Sequence, residues 1–384
     1  MPNKVLFCAT IDGHIKAFHL PYLKWFKERG WEVHVAANGN MELPYVDGKF
    51  DIPIQRSPFK LTNIKAYYEL KSIMDENQYE IIHCHTPMGG VLARLAARQT
   101  RKHGTKVIYT AHGFHFCEGA PLINWIVYYP IEKSLAYYTD CLITINEEDY
   151  KRAVKCRFKA KRITHVHGVG VNTERYKPIQ ETRKLEIRNS FGYKPNEFLM
   201  FYAAEFNKNK NQQFLVQALA LLKEEVPHAK LLLAGDGPLQ EYCRELAERL
   251  GVAGMVDFLG YRNDIDQLLP MCDMAVASSF REGMPVNIME AMAAGLPVVA
   301  TDNRGHRELV RHNENGWIVE PNDIHGMSER IKALCHNQHL KIQLGLSGRE
   351  MMERKFAIQK VLKEKSYIYS DFMREMEEVR WAVQ

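Results

Sequence analysis

The feature that most constrains this fold is an alternation of short apolar runs with helical patterns, and it occurs twice. Val5 to Thr10 reads as a buried strand. Phe18, Leu20, Leu23, Trp25 and Phe26 then recur at helical spacing, and Gly30 ends that helix. Strands follow at Trp31–Ala37, Ile81–His85, Lys106–Thr110, Leu142–Ile145 and Ile163–Val166, with helical patterns at Ile64–Met74 and Val91–Arg98 between them. The polar stretch Asn172–Pro178 and the charged segment Thr182–Arg188 interrupt the pattern. It then restarts with strands at Phe198–Ala203, Lys230–Ala234, Val256–Leu259, Met274–Ala277, Pro297–Ala300 and Trp317–Val319. Helical patterns alternate with these strands, and a long helix near Val361–Val379 closes the chain.

This order predicts an α/β fold with two parallel sheets, each covered by helices on both faces. The 384 residues suit two domains, placed at 1–178 and 179–360. Open parallel sheets bind ligands beyond the carboxyl ends of their strands, and two such halves predict a cleft between them.

Composition narrows the class. No apolar run spans a bilayer, and Asp12 follows the first apolar run at once, so no signal peptide is read and a cytoplasmic location is expected. The eight cysteines are scattered without a C-x-x-C pair, which predicts free thiols. The charge is uneven: residues 1–180 carry 25 Lys+Arg against 17 Asp+Glu. That surplus suits an anionic substrate or membrane surface, and a plain solvated surface equally well. No nucleic-acid motif accompanies it, and none is expected to bind. Gly235-Asp236-Gly237 lacks the full dinucleotide fingerprint, and no P-loop occurs.

The segment richest in chemistry runs from Ser279 to Thr301. Glu282 falls in a loop after a strand, and Glu290 falls inside the next helix. Gly283 permits close backbone approach, and Pro285 suits a first helical turn, where its missing N–H is no loss. The free N–H groups of that turn, over Gly283, Met284, Val286 and Asn287 with Pro285 between them, form an anion site. A diphosphate there would leave Glu290 to accept from ribose hydroxyls and Glu282 to meet a sugar. An ordinary helix with two solvated glutamates would carry the same pair.

This segment resembles the E-x7-E element of the family-four retaining glycosyltransferases, which have the two-domain GT-B fold. Further stretches carry the resemblance across nearly the whole chain: Asp12-Gly13-His14, Tyr109–Phe114, Gly168–Pro178, Lys210-Asn211-Gln212, Gly235–Pro238 and Phe258–Tyr261. The branch it resembles assembles exopolysaccharide or capsule. The resemblance implies two Rossmann-like domains, an acceptor-binding N-terminal one and a donor-binding C-terminal one. It also implies a final helix, about 361–384, returning to the first domain. It implies transfer from a nucleotide-diphosphate sugar, UDP-linked, to a glycan hydroxyl on a lipid-linked intermediate, with retention of configuration and no metal or other cofactor. Lys210 would hold the donor diphosphate, His112 and Glu282 the sugar, and Glu290 the ribose. Gly235 and Gly237 would shape the donor turn, and Leu259 and Gly260 would meet the base. Gly13, His14 and His85 would face the acceptor.

One position departs from the family. Where an arginine often stands five residues before the lysine, this chain has Glu205. A carboxylate there would repel a diphosphate. Either Glu205 turns away toward a cation such as Lys208, or the second cation is supplied by Arg281 or Arg304. Two alternative functions follow: a sugar-nucleotide epimerase, and a non-catalytic subunit of a polysaccharide assembly complex.

His83 and His85 share one side of their strand, and with His112 they suggest a metal site. No carboxylate or cysteine supports it at ligand spacing, and no metal is expected. Trp125, Tyr128, Tyr129, Tyr137 and Tyr138 crowd one helix, and core packing explains them best. The other reading is a membrane-facing surface, which the basic run Lys151–Arg162 on the inner face of a cell membrane would support.

Overall fold

A computed structural model describes residues 2–383, without the side chains at 379, 380, 382 and 383. The chain divides into two compact units, Met1–Gly168 with Val361–Gln384, and Val169–Lys360. The division falls before Val169 rather than at Pro178, and the bonding of residues 169–178 explains why. Val171 bridges to Ala357, and the Arg349 guanidinium donates to the carbonyls of Thr173 (3.0 Å) and Tyr176 (2.8 Å). These residues look like a linker by composition, but their hydrogen bonds belong to the second unit.

The first unit is built on β1 (Lys4–Ile11), β2 (Glu32–Asn38), β3 (Gly48–Asp51), β4 (Ile81–His85), β5 (Lys106–Ala111), β6 (Cys141–Thr144) and β7 (Arg162–His165). They form a parallel sheet in the order β3-β2-β1-β4-β5-β6-β7. Both faces are packed. Leu6, Ile82, Val107 and Leu142 point to one cluster, and Val5, Phe7, Ile81 and Ile143 to the other. Val361, Ile368, Tyr369 and Phe372 of the last helix (Ile358–Val383) complete the second cluster. The amphipathic pattern of that helix therefore has a definite partner within this unit. The first helical pattern divides at the buried His19, whose backbone (φ −119°, ψ −5°) leaves the helix before Pro21 opens the next one.

The second unit has β8 (Phe198–Ala203), β9 (Ala229–Ala234), β10 (Val256–Gly260), β11 (Met274–Ala277), β12 (Val298–Thr301) and β13 (Gly316–Val319). Their order is β10-β9-β8-β11-β12-β13, all parallel. Each sheet reverses its winding once, between β1 and β4 in the first unit and between β8 and β11 in the second. At such a reversal the loops leaving the two strands run in opposite directions and open a crevice. The first crevice lies beside His14 and His85, and the second beside Lys210 and Glu282.

Candidate active site

In the second unit, the loop after β11 and the loop after β8 are tied together. Ser278 Oγ donates to the Lys210 carbonyl (2.7 Å), and the Tyr202 hydroxyl pairs with Ser279 Oγ (2.8 Å). Phe280 N donates to the Asn209 carbonyl (2.8 Å), while Asn209 Nδ2 donates to the Arg281 carbonyl (2.9 Å). These bonds fix two backbones and present two side chains: Lys210 Nζ reaches Glu282 Oε1 at 2.5 Å. Arg304 Nε donates to the Glu282 carbonyl (3.0 Å), which places a second cationic side chain beside the pair. Arg281 is half-buried in the same loop.

The helix Val286–Ala293 starts at this loop, with Pro285 at its N-cap and no side chain capping it. Within its first turn, Ile288 N donates to Asn287 Oδ1 (3.0 Å). Asn287 Nδ2 donates to the Ala203 carbonyl (3.1 Å), anchoring the turn to the end of β8. Glu290 lies on this helix, hydrogen-bonded by Tyr176 with Arg175 nearby. Burial pushes its carboxyl up to about 7, although Tyr176 and Arg175 both pull it down.

Asn303 holds the far side of the loop. Its Oδ1 accepts from Gly305 N and His306 N (both 3.0 Å), and its Nδ2 donates to the Ser279 carbonyl (2.8 Å). A side chain on Gly305 would place its Cβ 2.7 Å from Glu282 Cβ, so only glycine fits there. We expect Asn303→Ala to lose this cap and lower the unfolding free energy by about 1–2 kcal/mol, read as a lower urea midpoint. An unchanged midpoint would show that the loop does not depend on it.

Gly235 and Gly237 have left-handed φ values of 135° and 155°. Added Cβ atoms would fall 2.2 Å from the Ala204 carbonyl oxygen and 2.5 Å from that of Phe206. The turn after β9 therefore packs directly on the loop after β8, and Gly235 N donates to the Gly260 carbonyl (2.7 Å). Leu259 and Gly260 end β10 at the same edge of the sheet. Glu205 is exposed and accepts from Asn207 Nδ2 (3.1 Å). Its partner is that neighbouring amide, not Lys208.

In the first unit, His112 follows β5, and Asp149 Oδ2 accepts from Phe114 N (3.0 Å), fixing the loop. His112 Nε2 lies 3.4 Å from His85 Nδ1. His14 is half-buried above them, its ring centre 4.7 Å from that of His112. His85, expected to face the acceptor, is fully buried, stacked on His19 at 3.7 Å, so its side chain supports His112 and His14 from beneath. The glycines that follow it serve packing. A Cβ on Gly89 would meet Ala9 backbone at 2.9 Å, and one on Gly90 would meet the Tyr109 ring at 2.3 Å. His83 shares the strand face with His85, as the strand period requires, but both its nitrogens are engaged. Nδ1 pairs with the Tyr369 hydroxyl and Nε2 with Thr110 Oγ1, each at 2.8 Å. The rings that converge here are therefore those of His14, His19, His85 and His112, not the group of His83, His85 and His112 that the strand period brings to mind.

Comparison with known proteins decides the family. Over 97% of this chain and 98% of its relative, 52% of residues are identical to a Bacillus subtilis (strain 168) protein described as a glycosyltransferase, EpsD. The chain belongs to the glycosyltransferases of the GT-B fold. Residues 183–351 of this glycosyltransferase match the family "Glycosyl transferases group 1", and residues 4–146 match "Glycosyl transferase 4-like". A more distant relative is the Escherichia coli UDP-Gal:alpha-D-GlcNAc-diphosphoundecaprenol alpha-1,3-galactosyltransferase, 27% identical over 73% of each chain. Among solved structures, Anabaena HepE in complex with UDP and glucose superposes with a TM-score of 0.79 at 21% identity, covering 96% of this chain and all of that one.

The first unit of this glycosyltransferase also carries an apolar groove of about 540 Å³, lined by Phe59, Leu61, Ile64, Tyr67, Leu92 and Phe114 among others. A smaller pocket with His14, Arg56 and Thr86 shares Pro58, Pro87, Met88, His115 and Tyr128 with it. On the helix Leu122–Leu135, Trp125, Tyr128 and Tyr129 pack on the core, while Leu122, Ile123 and Ile126 are exposed. The exposed face of this helix is aliphatic, and just beyond it Tyr137 is exposed as well. In the basic run, Lys151, Arg152, Lys161 and Arg162 pair with Glu147, Glu148, Asp140 and Asp371, which reduces its net field. No helix among the described residues is long and apolar enough to cross a membrane.

Proposed function

We propose that this glycosyltransferase moves a glycosyl group from a UDP-sugar to a hydroxyl of a lipid-linked glycan during exopolysaccharide or capsule assembly, with retention of configuration. The observation that carries this reading is the Lys210–Glu282 pair beside the uncapped turn at Val286, with Glu290 further along the same helix. That arrangement offers one cation and free backbone N–H groups to a diphosphate, and carboxylates to hydroxyls. HepE, which superposes over 96% of this chain, binds UDP and glucose, and the E. coli relative uses UDP-Gal and a diphosphoundecaprenol acceptor.

In the reaction, the bond between the anomeric carbon and the diphosphate breaks as the acceptor oxygen bonds to the same face of that carbon. The acceptor proton passes to the departing phosphate oxygen. Negative charge builds on the leaving group, and Lys210 with the helix turn meets it without a metal. Arg304 serves as the second cation in place of the arginine that Glu205 replaces. Glu282 and His112 position the sugar, and Glu290 holds the ribose. The backbone at Leu259 and Gly260 meets the uracil, while His14 and the loop at Gly13 face the acceptor. The groove beside Phe59 and Leu61 suits the apolar part of a lipid carrier, and the exposed aliphatic face of Leu122–Leu135 suits the surface of the membrane that holds it.

The test is a transfer assay with UDP-sugars and undecaprenyl-diphosphate-linked acceptors, with the product's anomeric configuration read by NMR. Acceptor-dependent release of UDP and an unchanged anomer are expected. Consumption of donor without acceptor would point to an epimerase, and an inverted anomer would end the proposed mechanism.

A further inference from the structure

The apolar groove of the first unit and the smaller pocket beside it form one continuous surface, joined through Pro58, Pro87, Met88, His115 and Tyr128. The groove, at about 540 Å³, falls within the usual range of ligand sites, about 300–1,000 Å³. The pocket ends at His14, on the acceptor side of the proposed reaction. One loop supplies both characters: Arg56 lines the pocket, and Phe59, Lys60 and Leu61 line the groove. Asn63 holds that loop in place. It is buried, its Oδ1 accepts from Gln55 N (2.8 Å), and its Nδ2 donates to the Ser57 carbonyl (2.9 Å). Phe59 and Leu61 are 83% and 80% exposed, so the loop presents two large apolar side chains to solvent. Arg56 and Lys60 are exposed as well, and neither makes an ion pair or hydrogen bond among the described residues. The one carboxylate among the described residues lining either cavity is Glu132. It is already paired with Arg94 (2.8 Å) and accepts from the Tyr109 hydroxyl (3.1 Å). The surface therefore joins an apolar groove to uncompensated positive charge.

We propose that Arg56, with Lys60, holds the diphosphate of a prenyl-type lipid diphosphate that carries the acceptor, while the first part of its tail lies in the groove beside Phe59, Ile64 and Leu92. This rests on the transfer reaction proposed above and assigns the anchoring group of its acceptor to named side chains. Both ends of such a molecule are matched. A guanidinium fork meets phosphate oxygens in pairs, and a lysine ammonium adds a point charge. Apolar walls draw an aliphatic chain out of water without demanding one orientation. The order along the surface is the order along the molecule: tail in the groove, diphosphate at Arg56, glycan toward His14. The rest of a long tail has a place to go. The helix Leu122–Leu135 gives Tyr128 and Ile131 to the groove and carries the exposed Leu122, Ile123 and Ile126. A soluble glycan offers this surface neither charge nor tail, so the site selects lipid-diphosphate acceptors. The donor's own diphosphate belongs to Lys210 in the second unit, and the two anions have separate cations.

The test is calorimetric titration of the full chain with farnesyl diphosphate, with UDP at saturation so that the donor site is filled. We expect one molecule bound per chain. Farnesol and inorganic diphosphate should each bind at least about tenfold more weakly, since each lacks one half of the match. Arg56→Ala is expected to weaken farnesyl diphosphate binding by about 30-fold, through loss of hydrogen bonds to a charged group. Arg56→Lys should recover part of that loss, because it restores the charge without the fork. Phe59→Ser, at a position open to solvent, should cost about tenfold and leave the binding of inorganic diphosphate unchanged. UDP affinity should be the same in all three variants. Absence of farnesyl diphosphate binding with UDP present, or equal affinity in the native chain and Arg56→Ala, would overturn the assignment. Farnesol binding as tight as the diphosphate would do so as well. The transfer reading is separable. Transfer to a lipid-linked acceptor with the same KM in the native chain and Arg56→Ala would leave that reading standing and overturn this one. Farnesyl diphosphate binding that is lost in Arg56→Ala supports the site even where no sugar is transferred.

Discussion

Lys210→Ala is expected to lower kcat by about 10²–10³-fold, the cost of removing one pre-placed donor to developing negative charge. The geometry makes the loss larger than that of a lone lysine. Lys210 Nζ neutralises Glu282 at 2.5 Å, and its own backbone carbonyl is pinned by Ser278. Without the ammonium, the Glu282 carboxylate faces the diphosphate unpaired, so donor affinity falls together with turnover. The two positions should therefore couple: Glu282→Gln in the Lys210→Ala background restores part of the lost donor binding, while Glu282→Gln alone lowers kcat. A double-mutant cycle on donor affinity checks this. Additive effects would show that the ion pair has no part in holding the donor.

Glu290→Ala is expected to weaken UDP binding by about 100-fold, corresponding to two hydrogen bonds to a charged acceptor at about 1.5 kcal/mol each. The same residue predicts a pH dependence. In the free protein, burial raises its carboxyl from 4.5 to about 7. Ribose hydroxyls donate to the carboxylate, so below pH 7 binding must first release a proton. UDP affinity should then rise with pH up to about 7 and level off above it, and Glu290→Gln should flatten the profile. The stability of the unliganded protein runs the other way. A carboxyl with a raised folded pKa contributes stability that is present below about 4.5 and is lost as pH rises through about 7. Calorimetric titration of UDP between pH 5.5 and 8.5 reads the first effect, and urea unfolding over the same range reads the second. A falling affinity across neutrality would place the ribose elsewhere.

How much of this was legible beforehand follows from where the signal resides. Buried central strands such as Phe198–Ala203 and Met274–Ala277 are continuous apolar runs, and the sequence reading finds them residue for residue. The edge strand Gly48–Asp51 is half-exposed, short and without such a run, and the reading misses it. Glu282, Gly283 and Glu290 were legible because a strand, a loop and a helix start fall in consecutive order. The hold of Tyr176 on Glu290, the clamp at Asn303 and the support from Arg304 were less so, since residues distant in sequence make these contacts. The histidines divide for the same reason. The strand period placed His83 beside His85, with ring centres 4.1 Å apart. Which of them kept free nitrogens depended on Thr110 and on Tyr369 of the last helix, and no local pattern announces those partners.

The most direct test of the donor site is a panel of nucleotide sugars in a thermal-shift measurement on the native chain, Lys210→Ala and Glu290→Ala. At 100 times its dissociation constant a bound donor stabilises the fold by about 2.7 kcal/mol. We predict that one or more UDP-sugars raise the melting temperature of the native chain and that both variants lose the effect. A shift that survives in both variants, or none with any nucleotide sugar, would contradict the assignment of the donor to Lys210, Glu282 and the helix Val286–Ala293.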